Sequence, residues 1–205
     1  DEVLSIAIKQ TGHQGIPAIA GLLSNFNDHG VLGYAMLAAD SVRQSVETMV
    51  SYCGKRVSGL EMALLVEGDI AHLQLTGKPM ESGAVRLAEI IMYCGLSLII
   101  SINRNEDMWL SMNFVRNSQS VEIEDVNTYK RCSVPIDVNF GQKQHSFSFP
   151  RNFLDTPNRQ SNPTVYSSMI ESLGRVEGLQ RSREDSLISR IRKVMTSDRI
   201  FKGSK

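Results

Sequence analysis

The hydrophobic positions of the first 53 residues recur three and four residues apart, which is the spacing of amphipathic helices. Glu2–Gln10 and Ile16–Leu23 each place their apolar side chains on one side of a helix, and Pro17 suits the first turn of the second. Asp40 or Ser41 can cap a longer helix, whose apolar face would carry Val42, Val46, Met49, Val50 and Cys53. The chain is therefore expected to begin with helices.

After Gly59 the hydrophobic period shortens to two residues, which is the spacing of a β-strand. Apolar side chains alternate along residues 60–66, and Gly68 and Asp69 supply a two-residue turn. Ile70–Thr76 then returns as the partner strand. This is the clearest hairpin of the sequence.

A long helix and a third strand follow the hairpin. Met80–Ile100 is apolar on most sides, so we expect a largely buried helix. A strand is predicted after it, because apolar residues alternate with Trp109, Ser111 and Asn113. The apolar positions of this strand are Met108, Leu110, Met112 and Phe114. We expect the Met80–Ile100 helix to cover that apolar side permanently.

The second half of the chain predicts one more helix and two more strands before a helical end. Val121–Arg131 has the pattern of a short polar helix, and residues 134–140 and 147–149 alternate on either side of a turn at residues 141–144. Pro150–Pro163 is rich in turn residues and ends the sheet. Val165–Leu179 again has helical spacing, and a last helix starts at Ser182 or Asp185.

These elements together predict an α+β fold. A helical N-terminal part precedes a sheet of about five strands in the order ββ-α-β-α-ββ, and helices end the chain. Because the strands are joined as hairpins, we expect the sheet to be antiparallel and packed by helices.

Composition and charge narrow the class of protein. With 205 residues and 41% hydrophobic residues, the chain can build a sizeable core. Its longest uncharged apolar run, Ile90–Ile102, is shorter than the ~20 residues that span a membrane, so we expect a cytoplasmic protein without membrane contact. Residues 1–174 carry a net charge of −5 and residues 175–205 a net charge of +5. The basic tail indicates a solvated helix or the edge of a nucleic-acid-binding module.

Catalytic and metal-binding signatures are absent from the sequence. It contains no nucleotide-binding glycine loop, nucleophile elbow or zinc-protease motif, and His13, His29, His72 and His145 lie far apart. The paired carboxylates Glu106 and Asp107 lie at the end of an element, where acidic residues commonly serve as solvated caps. We therefore expect no catalytic residues, no metal and no cofactor.

One face of the predicted sheet indicates a small-molecule pocket. Trp109, the only tryptophan, shares its strand face with Ser111 and Asn113, and His72 and Gln74 interrupt the apolar pattern of another strand. A large aromatic ring among hydrogen-bonding groups suits the orientation of a ligand, although a buried core tryptophan is the commoner case. These five residues are the predicted ligand site, which we expect to lie beneath the helices of residues 1–53.

Three segments resemble the N-terminal ligand-binding domain of AraC/XylS-type bacterial transcription regulators, in the arabinose-binding-like, ornithine-utilisation-regulator branch. The first is Gly30–Ala38 (GVLGYAMLA) followed by Ser41–Val46 (SVRQSV). The second is the hairpin around Glu67, Gly68 and Asp69, and the third runs from Tyr129 to Phe149. The first and third segments are moderately specific, whereas the hairpin alone would not be.

The resemblance implies an effector-sensing regulatory domain over residues 1–175. Residues 176–205 would form a linker and the first helix of a missing helix-turn-helix domain, through which alone the protein would bind DNA. Its partners would be a small-molecule effector and a second copy of the chain. The resemblance carries over no ligand-contacting residue. For the homodimer we predict a face on the helix after the proline-rich segment, with Tyr166, Met169, Ile170 and Leu173.

Two other functions stay open at this point. A small α+β enzyme could assemble its site from His72, His145, Glu106 and Asp107, provided that the fold brings these residues together. The chain could also be a purely structural dimerisation module, in which side chains fill the pocket at Trp109.

Overall fold

The computed structural model describes residues 2–13, 15–56, 59–77, 85–102, 108–115 and 136–176. Within these ranges the chain forms six α-helices, two short 3₁₀ helices and one five-stranded sheet. The helices are α1 (Glu2–Thr11), α2 (Ile16–Leu23), α3 (Val31–Ala38), α4 (Val42–Arg56), α5 (Val85–Ile102) and α6 (residues 163–176). The predicted α+β class with a helical start is confirmed.

The N-terminal helices begin and pack as their sequences dictate. Ser41 caps α4, because its hydroxyl oxygen accepts a hydrogen bond from the backbone N–H of Gln44 at 3.3 Å. Helix α2 crosses α5 very closely at Gly21, where an added Cβ would lie 2.6 Å from the Ile90 carbonyl oxygen. Glycine at this position lets the two helix backbones approach each other.

The sheet consists of β1 (Leu60–Glu67), β2 (Ile70–Gly77), β3 (Leu110–Asn113), β4 (Ile136–Asn139) and β5 (His145–Pro150), in the spatial order β1-β2-β5-β3-β4. β1 and β2 form the predicted hairpin, and Gly68 in its turn has a φ of 58° that favours glycine. β5 lies antiparallel between β2 and β3.

The predicted pairing of the last two strands is wrong. β4 and β5 were expected to form a hairpin across residues 141–144, but β3 lies between them. β3 and β4 run parallel, with Leu110 opposite Ile136, so the sheet is mixed rather than wholly antiparallel. The error arises because the antiparallel prediction assumed pairing between strands that are neighbours in sequence.

The two faces of the sheet differ as the alternation predicts. On one face the side chains of Leu73, Leu110, Met112 and Phe147 are buried and belong to the hydrophobic core. On the other face the strands carry mainly polar side chains, which we call the polar face: His72, Gln74, Ser111, Asn113, Ser146, Ser148, Asp137 and Asn139. Among the described residues, the core thus lies on the apolar side of the sheet.

Helix α5 covers the apolar face, as the sequence predicts. The ring of Tyr93 stacks on Phe114 of that face with centroids 5.6 Å apart. The buried side chains of α2, α3 and α4 join the same core, among them Ala18, Met36 and Val46. The predicted position of these helices above the polar face is therefore wrong, because their apolar sides need the apolar face of the sheet.

The chain from residue 151 to residue 176 runs back along the N-terminal helices. A 3₁₀ helix, Arg151–Asp155, follows β5 directly, and we call it the post-β5 turn. Residues 156–162, which we call the strap, then lead to α6. Within the described part of α6, Leu173 packs against the core.

Some predicted elements lie outside the described residues. These are residues 80–84 of the long helix, the polar helix at 121–131 and everything beyond residue 176. In the part of the chain that the structure describes, no helix is long and apolar enough to cross a membrane.

Candidate functional site

The polar face brings four of the five predicted ligand-site residues into two adjacent rows. His72 and Ser111 both lie opposite Ser148 of the central strand β5. Gln74 and Asn113 flank Ser146 in the same way, one row further along. The fold therefore collects residues that are up to 41 positions apart in sequence, from 72 to 113.

Hydrogen bonds between side chains tie these rows together. Nδ1 of His72 lies 2.8 Å from the Ser148 hydroxyl oxygen, and Asn113 donates from Nδ2 to the hydroxyl oxygen of Ser146 at 2.9 Å. Asn139 of the edge strand donates to Ser111 at 3.2 Å. The two serines of β5 are buried, whereas the residues beside them are half-buried. Such a network fixes the orientation of its donors and acceptors.

Trp109 stands apart from these rows, at one end of the polar face. Its side chain is 40% exposed, which is far more than the buried Met108 and Leu110 on either side. The alternative of an ordinary core tryptophan is therefore disfavoured.

The ring of Trp109 lines an open cleft of about 500 Å³. We call it the Trp109 cleft, and its volume suits a small metabolite. Its other lining residues come from the hairpin turn, from the end of β5 and from the post-β5 turn: Asp69, Ile70, Pro150, Arg151, Asn152 and Asp155.

Non-local strand pairing builds the Trp109 cleft. Ile70 at the start of β2 lies opposite Pro150 at the end of β5. The backbone N–H of Arg151 donates to the Asp69 carbonyl oxygen at 2.8 Å, so the post-β5 turn is held against the hairpin turn. An apolar floor therefore meets a polar rim at this place.

The rim carries charges of both signs. Asp155 accepts two hydrogen bonds from the guanidinium of Arg43 on α4, the shorter at 2.7 Å. Arg151 and Asp69, in contrast, have no ion pair within the described ranges of the chain. As far as the described residues show, the cleft thus offers the cation of Arg151 and the anion of Asp69, both without an ion pair, to a ligand.

Sequence reasoning found Trp109 but missed the other residues of the cleft. Gly68 and Asp69 had been assigned only to a turn, and Pro150 only to the end of the sheet. The sequence does not show that β2 pairs with β5, and it is this pairing that brings the hairpin turn and Pro150 together. His72, Gln74, Ser111 and Asn113 lie on the same sheet face but do not line the cleft.

The structure separates the histidines that the enzyme alternative would combine. His72 lies on the polar face, whereas His145 lies opposite Leu75 on the apolar face, so the two rings point to opposite sides of the sheet. Glu106 and Asp107 lie outside the described residues. Across the residues that the structure describes, no three His, Cys, Asp or Glu side chains form a group that could hold a metal ion.

His145 is an unusual residue of the core. It is 1% exposed, and within the described ranges no hydrogen-bond partner faces either ring nitrogen. Its ring meets Phe114 edge-on, with centroids 6.0 Å apart. Burial lowers the pKa of His145 below its usual 6.5, because desolvation penalises the charged imidazolium.

The predicted dimer face on α6 is half-buried against its own chain. The hydroxyl of Tyr166 lies 3.0 Å from the Thr48 hydroxyl on α4, and Leu173 packs against the core. Met169 and Ile170 are also half-buried, whereas Val165 is exposed. Much of this face therefore holds α6 in place.

Comparison with known proteins identifies a family and solved structures of similar fold. The model of the arabinose-binding domain at the N-terminus of AraC transcription regulators matches residues 2–158. The chain is also similar to the transcriptional regulator CdpR from Pseudomonas aeruginosa, with a TM-score of 0.58 and 18% sequence identity. No curated protein matches the chain.

The similarity to CdpR covers 82% of this chain and 54% of the CdpR chain. The chain therefore spans about half the length of that regulator. At this sequence identity, the similarity concerns the fold.

Proposed function

The chain belongs to the family of arabinose-binding domains of AraC transcription regulators, and we propose that it senses a small-molecule effector and controls a DNA-binding domain. The family is one of regulators rather than enzymes, in agreement with the prediction from the sequence. A regulatory domain of this kind needs a site for an effector and a mechanical connection to the element that it controls.

The Trp109 cleft is the observation that carries the proposal. A dimerisation module would have this space filled by side chains, whereas the cleft is open and its aromatic floor is 40% exposed. The neighbouring rows of His72, Gln74, Ser111 and Asn113 supply oriented polar groups along the same face. We assign Trp109 to the binding of the effector in the cleft, and these four residues, which lie beside the cleft on the same face, to the orientation of an effector that extends beyond it.

The strap supplies the connection from the cleft to α6. It begins directly after Asp155, the last residue of the post-β5 turn, which lines the cleft. It continues through Asn158, a buried residue whose Nδ2 donates to the Leu37 carbonyl oxygen at 2.7 Å. The backbone N–H of Asn158 also donates to the Asp40 carbonyl oxygen at 3.0 Å. Asn162 then caps α6 by accepting from the backbone N–H of Val165 at 3.1 Å.

A ligand in the cleft would act on this connection directly. Contacts to the post-β5 turn change the position of Asp155, and the strap transmits that change to α6 because hydrogen bonds hold it to the α3–α4 corner. An effector shifts such an equilibrium by its difference in affinity for the two arrangements.

The remaining parts of the proposal concern the residues around α6. Residues 1–175 would be the effector and dimerisation domain, and residues 176–205 would lead into a helix-turn-helix domain, for which their net charge of +5 is suited. Self-association would use the part of α6 that its own chain leaves uncovered. Pairing there would set the spacing of two DNA-binding modules on two half-sites.

Native mass spectrometry of the 205-residue chain tests the proposal. We expect the chain, purified under gentle conditions, to retain a small molecule. Trp109→Ala should weaken its retention by about 1–3 kcal/mol, the cost of losing a well-packed aromatic contact. Val115→Ala is the matched control, because this residue is 40% exposed and lies outside the cleft.

Thermal melts of the same variants separate binding from folding. Because Trp109 is partly exposed, its loss should cost less stability than the ~3–5 kcal/mol of a fully buried aromatic residue. A Trp109→Ala variant that is strongly destabilised but binds its ligand with unaltered affinity would refute the assignment of the cleft.

A further inference from the structure

We propose that the Trp109 cleft binds a small zwitterion, a molecule that carries one positive and one negative group on an apolar body. This inference rests on the proposed sensing function, which leaves the chemistry of the effector open. It follows from three features of the cleft: an apolar floor, an unpaired guanidinium and an unpaired carboxylate.

The apolar floor selects a ligand with an apolar body. Trp109 and Ile70 are both exposed at this end of the sheet, at 40% and 36%, and Pro150 lies opposite Ile70. When a ligand covers apolar side chains that are exposed together on a concave surface, their removal from water favours binding. A flat or branched hydrocarbon group would fit against the indole ring.

The guanidinium of Arg151 selects a negative group on the ligand. Arg151 lines the cleft, and no carboxylate forms an ion pair with it in the described part of the chain. Its rigid, forked donors match a carboxylate in a bidentate arrangement. Asp155, on the same wall, does not occupy them, because Arg43 already holds that carboxylate.

The carboxylate of Asp69 selects a positive group. Asp69 lines the cleft from the hairpin turn and forms no ion pair among the described residues, although its carbonyl oxygen accepts a hydrogen bond from the backbone N–H of Arg151 at 2.8 Å. A purely anionic ligand would be attracted by Arg151 but repelled by Asp69. A purely cationic ligand would be attracted by Asp69 but repelled by Arg151. A ligand with both charges satisfies both groups at once.

Three probes with the same apolar body test this assignment. L-phenylalanine is the zwitterion, 3-phenylpropionate lacks the amine, and 2-phenylethylamine lacks the carboxylate. Each is titrated into the 205-residue chain, and the emission of Trp109, the single tryptophan of the sequence, reports occupancy of the cleft. We expect a saturable change with phenylalanine and about threefold to tenfold weaker binding of each singly charged probe.

Two variants assign the charges to their residues. Arg151→Gln should remove the advantage of phenylalanine over phenylethylamine, and Asp69→Asn should remove its advantage over phenylpropionate. Arg159→Gln and Glu67→Gln are the matched controls, because these charged residues are exposed but do not line the cleft. Both controls should leave the ranking of the three probes unchanged.

Equal binding of the three probes would overturn the assignment, and so would the absence of a saturable response to phenylalanine. A loss of affinity in Arg159→Gln as large as in Arg151→Gln would also overturn it. These failures differ from a failure of the proposed function. If native mass spectrometry finds a retained molecule with a single charge, the sensing function stands and the zwitterion is wrong. If phenylalanine binds but no molecule is retained from the cell, the cleft stands and sensing fails.

Discussion

The buried imidazole of His145 should make the protein less stable in mild acid. In the folded chain this residue is 1% exposed, and its ring has no hydrogen-bond partner among the described residues, so burial lowers its pKa. In the unfolded chain the same ring titrates near 6.5. Below that pH the unfolded state binds a proton that the folded state rejects, and the free energy of unfolding must fall. The contribution of the neutral ring to the free energy of unfolding is therefore fully present well above pH 6.5 and is lost as the pH falls below that value.

The size of the effect follows from the linkage of proton binding to folding. The slope approaches about 1.4 kcal/mol per pH unit below pH 6.5, until the lowered pKa of the folded state is reached. If the folded ring stays neutral, acidification from pH 8 to pH 5.5 removes about 1.4 kcal/mol through His145 alone. That amount is a large share of the stability of a typical domain.

Urea unfolding of the wild type and of His145→Leu at several pH values isolates this contribution. Leucine fills the apolar site without a titratable group. The free energy of unfolding of the variant should therefore lack the decrease that begins near pH 6.5 in the wild type. His13→Leu, at an exposed position after α1, is the control and should follow the wild type. If His145→Leu and the wild type lose stability in parallel between pH 6.5 and pH 5.5, the argument from burial is refuted.

Two further predictions concern packing and the strap. Gly21→Ala should lower the free energy of unfolding by about 1–3 kcal/mol, because the new methyl group meets the backbone of α5. Gly95→Ala, which has open space at its Cβ, should raise the free energy of unfolding by about 0.5–1 kcal/mol. Chemical denaturation measures both changes. Asn158→Ala should cost about 1–3 kcal/mol because it removes the hydrogen bond from the buried Asn158 side chain to the Leu37 carbonyl oxygen. Asn152→Ala, at an exposed position, should change the melting temperature little. Equal effects within either pair would contradict the structural reason given for it.

Local patterns in the sequence predicted the elements whose partners are close in the chain. The β1–β2 hairpin and α2 were located within one residue, because alternation, helical spacing and turn residues act over a few positions. The burial of Met108 and the exposure of Trp109 also follow from alternation alone. The order of the last three strands was not predictable in this way, since β3 pairs with β5 across more than 30 residues.

In the candidate site, too, the residues set by local alternation were predictable, whereas those brought in by non-local strand pairing were not. The alternation of polar and apolar residues was sufficient to find Trp109 and the polar face. Arg151 and Asp155 belong to the cleft only because the end of β5 lies beside the start of β2, which is a non-local pairing. The amphipathic pattern of the N-terminal helices indicates that they need an apolar surface, but it does not indicate which face of the sheet supplies it. These helices were therefore predicted on the polar face and lie on the apolar one.

Amide hydrogen exchange of the 205-residue chain, with and without the small molecule that it retains, tests the central claim most directly. Sensing through the Trp109 cleft predicts slower exchange in the hairpin turn and the post-β5 turn, and a change in the strap up to the start of α6. Slower exchange confined to α1 and α2, or no change in any segment, would contradict the account.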